Sequence, residues 1–191
     1  MIAERRLWKT GRMPYLNRAM ERLVFIDETS TNTKMIKQTG WSAVGERLVD
    51  HVPHSSWKSQ TFIAGLRCHS MIAPWVMDCP MNQELFELYV ETQLAPQLNL
   101  SEVVILDNLS SHQSDKAEQI LKDIGAWFLF LPPYSPDLNP IEMAFSKLKA
   151  YLRKAGDRTF DDVWKAIGEI CDMFSQDECR NFFKAAGYEF M

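Results

Sequence analysis

Short apolar runs that end in acids or hydroxyls set the pattern of this chain. Leu23-Val24-Phe25-Ile26 is followed by Asp27-Glu28-Thr29, and Val103-Val104-Ile105-Leu106 by Asp107-Asn108. Runs of this length, rich in β-branched residues and bounded by polar ones, read as buried strands with polar residues at their C-terminal tips. Residues 60–66 and 69–76 read as two more strands in an antiparallel meander, and Trp127-Phe128-Leu129-Phe130-Leu131 as another buried strand. Residues 29–40 are polar, with Gly40 marking a turn, and a strand or hairpin is predicted over 41–45 and 46–53.

Helical spacing takes over elsewhere. Leu85, Phe86, Leu88, Tyr89 and Val90 predict a helix over 82–94, ended near Pro96. A second helix is predicted over 114–124, stopped by Gly125, and a third over 142–152 from Phe145, Leu148 and Leu152. A fourth starts at Thr159 or Asp161 as cap and runs to about residue 174. A fifth covers 176–186 and ends at Gly187. Residues 1–21 are basic and weakly patterned, a linker or helical tail, which leaves 22–191 as one α/β domain with a mixed sheet flanked by helices.

Composition narrows the class without naming a chemistry. A chain of 191 residues, 46% hydrophobic and 24% charged, suffices for one domain with a real core. No apolar run approaches the ~20 residues of a membrane span, and the N-terminus has no signal-peptide pattern, so the expected setting is the cytoplasm. Cys68, Cys79, Cys171 and Cys179 form no CxxC pair and read as buried or idle thiols.

The net charge of -4 does not advertise nucleic-acid binding, but the charge is uneven. Residues 1–22 carry six basic side chains against two acidic ones, and a second cluster gathers Lys147, Lys149, Arg153, Lys154 and Arg158. On charge alone such clusters are solvated helix faces.

The chemistry lies in the acids. Asp27 and Asp107 both end buried strands. Neighbouring strands lie about 4.8 Å apart, so the two tips meet if the strands pair. Glu142 follows a loop dense in turn formers, Leu131-Pro132-Pro133-Tyr134-Ser135-Pro136-Asp137-Leu138-Asn139-Pro140-Ile141. Three clustered carboxylates repel one another unless a cation neutralises them. Hard divalent ions take such oxygen ligands and leave positions for substrate phosphate, and a pair of them suits in-line phosphoryl displacement. Glu28 is an alternative ligand, but alternation along the strand directs it to the opposite face, so Asp27 is preferred. Asp137 takes a turn role.

These residues carry a resemblance. Phe25-Ile26-Asp27-Glu28, Leu106-Asp107-Asn108 with His112, and the Tyr134–Glu142 string, with 34 residues between Asp107 and Glu142, look like the catalytic domain of DDE transposases. Within them the chain resembles the mariner superfamily, bacterial insertion sequence six-thirty family, over residues 22–187. The resemblance implies an RNase H-like fold and two Mg²⁺ ions, with Mn²⁺ able to substitute. It implies an endonuclease and polynucleotidyl transferase that cuts transposon ends and joins them to a TA target, in a bacterial cytoplasm and at the nucleoid when bound to DNA. It makes Asp27, Asp107 and Glu142 the metal-binding catalytic triad and Asn108 and His112 accessory residues. For a DNA-acting chain, Lys147, Lys149, Arg153 and Lys154 of the second basic cluster are the candidate DNA contacts. Trp41 and Gly45-Glu46-Arg47 match the family's loop and strand after the first acid and are taken as structural. His51 and His54 form no ligand set.

Such transposases carry an N-terminal helix-turn-helix region, for which 26 residues before Asp27 are too few. The expectation is a split or truncated reading frame, with an upstream helix-turn-helix polypeptide and a homodimer as candidate partners. A non-catalytic, DNA- or partner-binding RNase H-like remnant is the alternative, disfavoured by the intact triad. A general α/β hydrolase lacks its nucleophile-elbow motif here.

Overall fold

Five strands form one sheet among the described residues: β1 (Leu23–Asn32), β2 (Ser59–Leu66), β3 (Met71–Met77), β4 (Val103–Leu106) and β5 (Trp127–Phe130). Their order is β3-β2-β1-β4-β5. The computed structural model describes residues 2–32, 35, 39–49, 59–155 and 159–189. β2 pairs antiparallel with both β1 and β3, whereas β1–β4 and β4–β5 are parallel. Parallel neighbours need a crossover. Helix α3 (Gln83–Tyr89), extended by π and 3₁₀ turns to Gln97, leads into β4, and α4 (Asp115–Asp123) into β5. This is the mixed, helix-flanked sheet expected of an RNase H-like fold.

The central strands are apolar throughout because both faces are covered. Leu23, Phe25, Val103 and Ile105 face one core with α5 (Ile141–Ala155), α6 (Phe160–Asp172) and α7 (Gln176–Ala185). Val24, Ile26, Val104 and Leu106 face the other, with Phe86, Tyr89, Ala117 and Leu121 of α3 and α4. The register matters for function. Leu23, Val24 and Phe25 lie beside Val103, Val104 and Ile105. Two further steps along each strand bring Asp27 and Asp107 together at the same edge.

The N-terminal segment is helical and docked. It comprises α1 (Ile2–Leu7), a π-helical turn over Trp8–Arg12, and α2 (Met13–Asn17) with Pro14 in its first turn. Trp8, Met13 and Met20 are buried in the α5–α7 core, and the Trp8 indole N–H donates to the Tyr188 hydroxyl (3.2 Å).

Two expectations need correction. β1 runs on to Asn32 rather than stopping at Thr29, because Thr29 and Thr31 are β-branched, buried, and paired with Phe62 and Gln60. Residues 41–49 form no strand. They hold a turn at Val44-Gly45, closed by Glu46 N–H to the Ala43 carbonyl (3.0 Å), and Trp41 is 99% exposed. Residues 50–53 of the predicted hairpin, His51, His54 and Arg158 lie outside the described residues. All four cysteines are free thiols, and no described helix is long and apolar enough to cross a membrane.

Candidate active site

Asp27 sits within β1, Asp107 follows the last residue of β4, and Glu142 is the second residue of α5. All three line one cleft of about 340 Å³, whose other wall includes Leu109, Leu131, Pro132, Pro133 and Tyr134. Glu142 also gains from its place in the first turn, where the helix dipole favours an anion.

The loop before α5 is built from short local bonds. Pro136–Leu138 form a 3₁₀ turn. Leu138 N–H donates to the Ser135 carbonyl (3.0 Å), Asn139 N–H to Pro136 (3.0 Å), and Glu142 N–H to Asn139 (3.2 Å). Tyr134 adopts a left-handed φ of 53°, strained for a residue with a side chain. From this loop the Asn139 side-chain amide donates to Asp27 Oδ2 (3.0 Å).

Asp27 is the electrostatic focus. Its carboxyl is pushed up to about 8, first by burial and then by the charges of Glu142, Glu28 and Asp107; the Glu28 backbone N–H on Oδ1 (2.8 Å) opposes this. A group under that combination of desolvation and like charge is where a divalent cation brings the largest relief. Asn139 Oδ1 is also buried with no hydrogen-bond partner among the described residues. Both observations fit a site for hard cations. Against them, among the described residues no three acid, histidine or cysteine side chains are grouped so that they could hold a metal ion as they stand.

On the opposite face of β1, Glu28 takes another role. His112 is buried and held at both ring nitrogens, Nδ1 by Asp107 Oδ1 (2.7 Å) and Nε2 by Glu28 Oε2 (2.9 Å). Its ring packs on Phe86 with centroids 4.7 Å apart. Burial acts to lower the imidazole pKa, but the hydrogen bonds and charges of Asp107 and Glu28 outweigh it and push it up to about 10. The imidazolium therefore donates at both nitrogens and fixes the Asp107 carboxylate. Period-two alternation, which separates Glu28 from Asp27, is what aims it at His112. Sequence reasoning set Glu28 aside as a ligand and did not see this bond; the neighbouring His112 was the only available signal. Asn108 is exposed, at the rim of the cleft, and accepts from the Gln113 amide (2.8 Å).

The basic candidates on α5 divide by face. Lys149 and Arg153 follow Glu142 by 7 and 11 positions, so at 100° per residue they lie on its side of the helix, about 10 and 16 Å further along. Lys154 lies about a third of a turn away and is exposed. Lys147 faces elsewhere. It forms an ion pair with Glu178 of α7 and lies 4.8 Å from the Phe174 ring centroid.

Comparison with known proteins agrees with this architecture. The profile of the family described as DDE superfamily endonuclease matches residues 22–165. No curated protein sequence matches the chain. Among solved structures, the catalytic domain of Mos1 mariner transposase is similar at 15% identity, with a TM-score of 0.62, over 97% of this chain and 81% of that one. The Mos1 strand transfer complex is similar at 16% identity and a TM-score of 0.71, over 91% of this chain and 54% of that one. The Mos1 paired-end complex with the left transposon end gives 15% identity and a TM-score of 0.67, over 100% of this chain and 60% of that one. The chain thus spans little more than half the length of the transposase in those complexes, and at such identities the likeness is one of fold. The match across most of the sequence, on a fold with three acids at one cleft, shows that the chain belongs to the DDE superfamily endonucleases.

Proposed function

We propose that the chain is the catalytic domain of a transposase that cleaves DNA strands and transfers them during movement of an insertion sequence, of the six-thirty type that its motifs resemble. The observation that carries this reading is Asp27. Its carboxyl is desolvated and crowded by Glu142 and Asp107 at the rim of two parallel strands, an arrangement suited to cation binding rather than to bare anions.

In this reading Asp27, Asp107 and Glu142 hold two Mg²⁺ ions, or Mn²⁺ in their place. Divalent ions bound there supply Lewis-acid activation of a water or 3′-hydroxyl and neutralise the leaving oxygen. The chain supplies the positioning. Asn139 turns Asp27 through Oδ2, and His112, anchored by Glu28, turns Asp107 through Oδ1. Such outer partners of ligating carboxylates fix their orientation. Lys149 and Arg153, in line with Glu142, offer a track for the DNA backbone leading away from the cleft, with Lys154 beside it and Asn108 at the rim. Mos1 paired-end complexes solved with Mg and with Mn support the choice of ions.

The proposed partners are transposon-end DNA and a TA target, with a homodimer bringing two ends together and a helix-turn-helix polypeptide supplying end recognition. The proposed location is the bacterial cytoplasm, at the nucleoid when bound to DNA.

The direct test is nicking of supercoiled plasmid by the purified chain. Nicking is expected only with Mg²⁺ or Mn²⁺ and is expected to fall at least 100-fold in Asp107→Ala. Undiminished metal-dependent nicking by that variant overturns the reading.

A further inference from the structure

The loop that delivers Asn139 and Glu142 is gripped from outside the sheet by the N-terminal helix. Arg5 of α1 places both ends of its guanidinium on Asp137, Nη1 to Oδ1 at 2.8 Å and Nη2 to Oδ2 at 2.7 Å. The same Nη1 also donates to Ser135 Oγ (2.8 Å) and to the Tyr134 carbonyl (3.2 Å). One side chain thus binds three successive parts of the loop across 129 to 132 positions of sequence. A bidentate fork of this kind fixes direction as well as distance.

The next turn of the same segment holds the loop again. Trp8 donates to the Tyr188 hydroxyl (3.2 Å), which donates to the Leu138 carbonyl (3.0 Å). The two ties bracket Tyr134–Leu138. The next residue is Asn139, bonded to Asp27, and its carbonyl accepts from Glu142 N–H. Tyr134, whose carbonyl Arg5 holds, is the residue with strained backbone. Strain of this kind persists only where surrounding contacts determine it.

We propose that Arg5 is a positioning residue for the triad: its fork on Asp137, Ser135 and Tyr134 sets the curvature of the loop, and through it the placement of Asn139 against Asp27 and of Glu142 over the cleft. The inference rests on the metal-binding reading of these acids. It extends that reading to α1, a segment that carries none of the acids and lies ahead of the stretch matched by the family profile.

The test is Mn²⁺ binding by isothermal titration calorimetry, with thermal melting alongside, on the full chain. Arg5→Ala is expected to weaken Mn²⁺ binding five- to tenfold while the metal-free melting temperature falls by only a few degrees. Arg5→Lys is expected to recover little, because a single ammonium cannot reproduce the fork. The exchange Arg5→Asp with Asp137→Arg is expected to restore more than half of the lost affinity. If Arg5→Ala binds Mn²⁺ as tightly as the wild type, or the exchange restores melting temperature but not affinity, Arg5 is a structural tie and the proposal fails. If the wild-type chain itself binds no Mn²⁺, the metal reading fails first, and with it the premise.

Discussion

Asn139 and Asp27, 112 positions apart, meet through a single 3.0 Å hydrogen bond from the side-chain amide to Oδ2. That bond joins the proline-rich loop to the central strand and gives the half-buried carboxylate a donor. Outer-shell partners of this kind are typically worth 10–100-fold in metal affinity or activity. Asn139→Ala is therefore expected to lower metal-dependent plasmid nicking by roughly that factor, with a melting temperature only a few degrees below wild type. Equal losses in nicking and in folded fraction would reduce Asn139 to a packing role.

The metal-free protein is expected to lose stability as pH rises. The Asp27 carboxyl stands near 8 in the folded chain against an ordinary 3.8. The folded state therefore holds a proton that the unfolded state releases between those values, and its stabilisation, complete below 3.8, is lost by about pH 8. His112 moves the same way over a higher window, from 6.5 to about 10. In EDTA the melting temperature should fall steadily from pH 5 to pH 9. Asp27→Asn should flatten the lower part of that slope and melt above wild type at pH 8, and Mn²⁺ should remove the Asp27 share of the fall in the wild type while leaving the share that His112 sets above 6.5. A wild-type melting temperature that climbs over this range contradicts the crowded-acid picture.

Glu28→Gln isolates the bond to His112. The glutamine keeps the size of the side chain and removes its charge, so the imidazole loses one of the two carboxylates that hold it protonated. Its titration midpoint, followed by NMR, should drop by at least one unit, and nicking near pH 8 should fall severalfold as Asp107 loses a firmly held donor. An unchanged midpoint would show that Asp107 alone sets the ring's charge.

Much of the frame was legible because it depends on local pattern. The apolar runs before Asp27 and Asp107 marked two strands, and the acids meet as expected if those strands pair, which they do in parallel, although β1 continues past Asp27 to Asn32. Glu142 was legible from the turn formers before it. The partners were not. Glu28–His112, Asn139–Asp27 and Arg5–Asp137 link positions 84 to 132 residues apart, and no periodicity encodes which polar side chains face each other once the sheet is assembled. The burial of Trp8 was hidden for a related reason: one large apolar residue among basic neighbours looks like a tail until a core is present to receive it. The continuation of β1 from Thr29 to Asn32 is hidden in a polar stretch, where the hydroxyls of Thr29 and Thr31 mask their β-branching.

The basic residues of α5 separate two roles that composition merges. Lys147→Ala removes the ion pair with Glu178 and the contact with the Phe174 ring, so it should cost about 1 kcal/mol of stability and leave DNA affinity nearly unchanged. Lys149→Ala with Arg153→Ala should do the reverse. Binding to a DNA duplex should weaken, and its log–log salt dependence should become shallower by about two. Fluorescence anisotropy across a salt series reads both effects, and equal slopes in the two variants would take the DNA track off this face.

The proline loop offers the last discrimination. Pro136 opens the 3₁₀ turn and Pro140 is buried directly before α5. Each restricts the unfolded chain, so Pro136→Ala with Pro140→Ala should cost about 1–2 kcal/mol of stability. The same change loosens the segment that carries Asn139 and delivers Glu142, where displacement of about 1 Å can cost far more in rate than in stability. Nicking at a temperature where both proteins are fully folded should therefore fall by tenfold or more. A loss of nicking that merely tracks the loss of stability would mean that the prolines serve folding alone, and that Glu142 is placed by α5 without help from the loop.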